Sequence, residues 1–264
     1  PIGVFAATIS QAALPTLSEE QAKEDGLVAF KKTFLTSLHQ ILFLVCPAAA
    51  ILIVLRIPIV RLVYGASKFD WMATVDTGLV LAFLGVGLVA ESAINLFVRG
   101  FYALHDSKTP VIIGSLTVIL NIVLSVLFIF LLASSKPVWG LAAASAIADL
   151  VYVLFLIYFL NKKANGFDKK ALFFPASKIF LASVITGLSL YIPMKLLDQL
   201  VFDTTRTAPL IMLTGTAAGI GLAVYFFLTW VLKIDELQSF LGLFKRKFWK
   251  NEVILVSEAH PESA

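Results

Sequence analysis

"RGFYALHDSKTP", residues 99–110, is a polar island inside a very apolar sequence. It carries Arg99, His105, Asp106 and Lys108, and it closes on Thr109-Pro110. Upstream, residues 77–98 hold a single charged side chain, Glu91; downstream, residues 111–133 hold none. A helix crosses the bilayer core with roughly 20 consecutive, mostly apolar residues. Both flanks meet that requirement, so the island reads as the turn between two membrane-spanning helices.

The same test applied outward finds more spans. Residues 138–160 and 208–232 qualify, and 34–55 and 171–197 qualify with a few polar interruptions. Residues 1–17 are apolar but short and read as the tail of a span, so the sequence reads as part of a longer protein. The expected fold is all-α: a polytopic helical membrane protein of about seven transmembrane helices. Composition agrees. The chain is 59% hydrophobic and 14% charged, with a mean hydropathy of +0.92, whereas soluble domains carry about 25% charged residues. Cys46, the one cysteine, sits beside Pro47 in an apolar run. It excludes a disulfide or a cysteine-based metal site within the chain, and it reads as a small buried hydrophobe.

Charge orients the spans. If they alternate, the loops 18–33, 99–109, 161–170 and 233–264 share one side. They hold fourteen of the 21 lysines and arginines; the opposite loops hold six. Cytoplasmic loops carry the basic excess. The 99–110 turn and the C-terminus are therefore expected in the cytoplasm.

Several local readings follow. Ser18, with Glu19 and Glu20 behind it, is expected to cap a short cytoplasmic helix. Residues 56–71 read as an outer loop, with Arg56 and Arg61 snorkelling and Tyr64 and Trp71 at the interface. Asp106 is expected to accept the N–H groups of Ser107 and Lys108, and Pro110 suits a helix start. Gly215 and Gly219 form a GxxxG pair, and Gly140, Ala144 and Ala148 a small-residue stripe, both signs of close helix packing. In the tail, Leu237, Phe240, Leu241, Phe244 and Phe248 at helical spacing, followed by basic residues, read as an amphipathic helix on the inner leaflet.

No catalytic constellation is visible. His39, His105 and His260 are scattered, and no acid or histidine cluster points to metal-dependent chemistry. No phosphate-cradling glycine-rich loop implies an ATPase, and no cofactor is expected. The informative residues are polar ones within spans. Glu91, Asn95 and Arg99 fall on one helical stripe, and Asp149 and Asn121 sit near the middle of theirs. A mid-bilayer acid costs about 2.5–3.5 kcal/mol on insertion scales, so it faces a bundle or a wet cavity.

The island resembles a known pattern. In the MurJ/MviN family of lipid II flippases a cytoplasmic turn reads Phe-Tyr-(small)-x-x-Asp-x-(Lys/Arg)-Thr-Pro. Phe101, Tyr102, Ala103, Asp106, Lys108, Thr109 and Pro110 all fit. The opening "PIGVFAATISQAALPTLS" is similar to that family's eighth helix, with Leu14, Pro15, Leu17 and Ser18 matching its Leu-Pro-x-Leu-Ser turn. The resemblance implies helices eight to fourteen of a fourteen-helix, two-lobe transporter of the multidrug/oligosaccharidyl-lipid/polysaccharide exporter architecture. Residues 1–170 would be the second-lobe bundle, with a partial first helix. Residues 171–232 would be two extra helices forming a lipid-tail groove, and 233–264 a cytoplasmic tail.

The implied activity is transport, not catalysis. Lipid II, an undecaprenyl-pyrophosphate-linked peptidoglycan precursor, would be moved to the outer leaflet of the bacterial inner membrane. The partners are that lipid, membrane lipids and the N-terminal half of the same protein, with no nucleic acid. Thr8 and Gln11 correspond to cavity-facing positions; with Glu91, Asn95 and the groove residue Gly219 they are the expected substrate contacts. Some members hold sodium on the eleventh and twelfth helices, which places Asn121, Ser125, Leu141 and Ser145 at the ligand positions. Ser125 stands where those members have an aspartate, and so lacks the charge that offsets cation dehydration. An exporter of the same fold for another polysaccharide lipid or a drug remains the alternative, with a membrane enzyme or structural subunit as a third reading.

Overall fold

The computed structural model describes residues 2–23, 26–65, 70–131, 138–200, 207–238 and 240. The described residues form eight helices: α1 (Ile2–Gln21), α2 (Gly26–Val54), α3 (Arg56–Tyr64), α4 (Trp71–Ala103), α5 (Lys108–Leu131), α6 (Val138–Lys163), α7 (Lys169–Leu200) and α8 (Thr207–Val231). Six of them, α2 and α4 to α8, are long and apolar enough to cross a membrane. They coincide with the six full spans read from the sequence.

The main core lies where α1, α2, α4 and α6 meet. Leu17, Phe30, Phe34, Leu96, Phe101 and Leu160 are fully buried there. Close approach depends on small residues. A Cβ on Gly100 of α4 would stand 2.8 Å from the Phe34 ring, and Phe34 in turn packs edge-on against Phe97 with centroids 5.1 Å apart. The stripe Gly140, Ala144 and Ala148 is buried on α6, as packing without a hydrophobic drive requires.

The pair α7–α8 joins this core through α2. Phe43, Cys46, Ile179, Ala182 and Tyr225 form the joint. Pro47 has no N–H to give the Phe43 carbonyl, its i−4 acceptor. The Tyr225 hydroxyl donates to that carbonyl instead, at 2.8 Å. A proline in one span thus creates the acceptor that docks another. At the edge of the bundle, α5 packs along α6. It buries only Pro110, Ile113 and Thr117 and leaves Leu116, Ile119, Val123 and Phe130 exposed. The exposed side of α5 from Leu116 onward is apolar.

One end of the bundle, here the basic end, carries the α1–α2, α4–α5 and α6–α7 turns and the exit of α8. Three helices stop there in the same way. In α4 the Asp106 N–H reaches the Phe101 carbonyl at 2.9 Å and the His105 N–H reaches Tyr102. The ends of α6 and α8 repeat the pattern, with Gly166 to Asn161 and Ile234 to Thr229. These are Schellman closures. His105, Asn165 and Lys233 take the positive-φ position at 55°, 54° and 50°, where glycine is usual.

Several local expectations are corrected. Ser18 caps nothing: α1 runs on to Gln21, and the Ser18 hydroxyl donates to the Leu14 carbonyl. Residues 56–64 of the expected loop are helical, with Pro58 in the first turn of α3, where its missing N–H has no cost. Most of the polar island is helix too, since α4 ends at Ala103 and α5 begins at Lys108. Asp106 bonds neither Ser107 nor Lys108; it accepts the Thr109 N–H and hydroxyl, at 3.0 and 2.8 Å. The GxxxG face is not a packing face, because a Cβ on Gly215 or Gly219 meets nothing within 4 Å. In the tail, Leu237 is buried in the α2–α7–α8 joint and Phe240 stacks near Phe43 and Phe226. These two dock on the bundle rather than on a leaflet; Leu241, Phe244 and Phe248 lie outside the described residues.

Candidate functional site

Two neighbouring helices expose polar side chains away from the core. Thr8 and Gln11 are exposed on α1; Glu91 is exposed on α4, with Asn95 and Arg99 half-buried one and two turns further. The helices pack side by side, and Gly3 faces Leu88. The structure therefore brings the expected α1 and α4 positions to neighbouring helices. Pro15 adds to this face, since it has no N–H for the Gln11 carbonyl. Behind it, the Asp149 carboxylate of α6 lies 3.6 Å from where a Cβ on Gly87 would stand.

Gly219 is elsewhere, exposed on α8 with Gly215. The expected groove residue and the polar face belong to different surfaces. The α7–α8 contact itself runs through Gly221, where a Cβ would stand 2.7 Å from Leu190.

The positions expected to hold sodium do meet across α5 and α6. The Asn121 amide nitrogen donates to the Ser145 hydroxyl at 3.2 Å, and the Ser125 hydroxyl donates to the Asn121 oxygen at 3.1 Å. Leu141 is exposed. This donor set does not fit a dehydrated sodium ion. It contains no anionic oxygen, and the three polar side chains bond one another.

The turn residues are positioned by contacts on both sides. Phe101 is fully buried, Tyr102 is exposed and Pro110 is buried. The Tyr152 hydroxyl of α6 donates to the Pro110 carbonyl at 2.8 Å. Lys163, the last residue of α6, reaches Asp106 at 2.7 Å. Burial pushes the Asp106 carboxyl upward, but Lys163 and the two Thr109 donors together outweigh it and hold it at about 2. Lys108 is exposed. Sequence reasoning missed a second tie at the basic end, His39 with Leu172 and Glu236. No local spacing signals it, because its members are far apart in the chain.

The sequence model described as "Lipid II flippase MurJ" matches residues 1–208. The chain belongs to the lipid II flippase MurJ family. It is 31% identical to a probable lipid II flippase MurJ of Rhizobium meliloti (strain 1021) over 229 residues, 86% of this chain and 41% of that protein. It is 28% identical to a probable lipid II flippase MurJ of Thermotoga maritima over 241 residues, 91% of this chain and 45% of that protein. A solved lipid II flippase MurJ in an inward closed conformation superposes with a TM-score of 0.68 at 23% identity, over 95% of this chain and 45% of that one. The chain thus spans less than half the length of these relatives. The MurJ family is one of flippases, and the helices fit a multi-pass protein of the bacterial inner membrane.

Proposed function

We propose that this chain forms the second-lobe side of the transport path in a lipid II flippase. The activity is translocation of undecaprenyl-pyrophosphate-linked precursor from the inner to the outer leaflet, without enzymatic chemistry. The basic end faces the cytoplasm, and the chain leaves α8 on that side. The polar face of α1 and α4 meets the lipid headgroup through Thr8, Gln11, Glu91 and Asn95. The exposed glycine face of α8 seats the polyprenyl tail, with α7–α8 acting as a two-helix unit. The remaining half of the protein closes the other side of the path.

One observation supports this reading above the rest. From Leu116 onward the exposed side chains of α5 are all apolar, whereas α1 and α4 expose a hydroxyl, an amide and a carboxyl. Polar groups against lipid tails are costly, so this face belongs to a wet cavity. The motif Phe101–Pro110 and the family match supply the substrate class.

The test is cysteine accessibility in the full-length protein, with Cys46 replaced. Single cysteines at Thr8, Gln11 and Glu91 are expected to react with a water-soluble thiol reagent, and cysteines at Ile119 and Val123 to stay unreactive. Equal protection of both sets would sink the cavity assignment.

A further inference from the structure

His39 of α2 is 5% exposed, yet both of its ring nitrogens face oxygen. Nε2 lies 3.3 Å from the Leu172 carbonyl at the start of α7. Nδ1 lies 3.6 Å from Oε1 of Glu236, beyond the end of α8. A carbonyl only accepts, so Nε2 must carry a hydrogen. In a neutral ring Nδ1 is then a bare lone pair, and an ionised carboxylate is also only an acceptor. Two lone pairs would oppose each other in a buried site. One further proton resolves the conflict, because an imidazolium pairs with the carboxylate across the 3.6 Å gap.

We propose that His39 and Glu236 form a proton-binding clasp that fastens the chain leaving α8 to the α2–α7 seam. The proton has a route, because both residues line a cavity of about 540 Å³ at the basic end. Among the described residues lining it, the charged neighbours are Lys32 on α2, Lys178 on α7, and Lys233 and Asp235 beside Glu236. The ammonium groups favour the carboxylate form of Glu236 and oppose an imidazolium; Asp235 does the reverse. Lys178 also donates to the Leu232 carbonyl at 3.1 Å and sits over the Phe174 ring. Tyr225 of α8, the other titratable group near Glu236, directs its hydroxyl to the Phe43 carbonyl.

The clasp has something to hold. Ile234 and Leu237 flank Glu236 in the chain and are 4% and 7% exposed, in the same apolar joint as Cys46. When the proton leaves to the cavity water, the lone pair and the carboxylate repel. Glu236 then lifts toward the lysines, its two apolar neighbours loosen, and the joint over Cys46 opens.

Cys46 reports the event. In the full-length protein with any other cysteines replaced, maleimide labelling of Cys46 is compared with the same protein carrying Glu236→Gln, at matched pH from mildly acidic to alkaline. The glutamine amide donates to Nδ1 of a neutral ring, so it keeps the clasp closed throughout. The ratio of the two rates removes the thiol's own pH dependence. The proposal expects a ratio near unity in acid that climbs several-fold as pH rises. A flat ratio overturns it. Should Glu236→Gln fail to fold, hydrogen exchange over residues 232–237 of the unsubstituted protein reads the same event. Protection falling with pH beyond the intrinsic exchange rate supports the clasp, and pH-independent protection overturns it.

Discussion

Lys163, the last residue of α6, reaches back to Asp106 in the α4–α5 turn, with Nζ 2.7 Å from Oδ2. The same carboxylate bonds the first turn of α5 through Thr109. One side chain therefore joins three helix ends. Its folded-state value, about 2, lies below the ordinary 3.8. A depressed carboxylate stabilises the fold above the unfolded value and loses that contribution as pH falls through the folded one. The full-length protein is expected to lose thermal stability between about pH 4 and pH 2 through this residue. Lys163→Met should shrink that acid-dependent loss, measured as Tm against pH in detergent. The effect is small, about 1 kcal/mol or less, because the lysine is partly exposed.

Orientation is tested in intact cells, with Cys46 replaced. Cysteines at Ser107 and Asn165 are expected to be protected from a membrane-impermeant thiol reagent, and a cysteine at Asp70 to react. The motivation is the basic excess around the first two positions. Reaction at Ser107 would invert the topology.

Glu91→Gln in the full-length protein is expected to lower lipid II translocation well below wild type at equal folded yield. The side chain is exposed on α4, so neutralising it is expected to leave the bundle intact. Unimpaired flipping in reconstituted vesicles would reduce Glu91 to a tolerated polar residue.

The spans were legible because apolar length is a local property that side chains declare one by one. Helices α2 and α4 to α8 fall where hydropathy places them. The island's role was legible too, but its partners were not. Asp106 chooses Thr109 because the Schellman closure at Phe101 and His105 turns the chain so that the carboxylate meets the start of α5. That turn uses a histidine at positive φ, where glycine would have been the plainer signal. The polar face was half legible: helical periodicity groups Glu91 and Asn95, whereas pairing them with Thr8 and Gln11 needed the packing of α1 on α4. His39 with Glu236, and Tyr225 with the Phe43 carbonyl, had no sequence signal, because tertiary folding alone brings them together.

Tyr152 and Gly114 make a coupled pair across α5 and α6. The Tyr152 hydroxyl holds the Pro110 carbonyl, and a Cβ on Gly114 would stand 3.0 Å from that hydroxyl. Tyr152→Phe should cost about 1 kcal/mol for the lost hydrogen bond. Gly114→Ala alone should destabilise by displacing the ring. In the Tyr152→Phe background the closest obstacle is gone, and Gly114→Ala should be neutral or stabilising through its helix propensity. A double-mutant cycle on thermal stability reads the coupling, and additive effects would refute it.

The glycines of α8 separate groove from packing. Gly219 has open space where a side chain would go, whereas Gly221 faces the fully buried Leu190 at 2.7 Å. Gly221→Ala should therefore overpack the α7–α8 contact and destabilise by about 1–3 kcal/mol. Gly219→Leu should leave stability unchanged or slightly raised, since it meets no neighbour and gains helix propensity. The two differ again in function. A long polyprenyl tail needs a shallow, lipid-open surface, because its methylenes gain little in a pocket they could equally find among lipid tails. Leucine at 219 fills such a surface. The full-length Gly219→Leu protein is therefore expected to keep its wild-type Tm while losing photo-crosslinking of a lipid-linked substrate at α8. Gly221→Ala is expected to lose crosslinking only in proportion to unfolding. Stable Gly219→Leu protein that still crosslinks and transports fully would remove the tail from this face of α8.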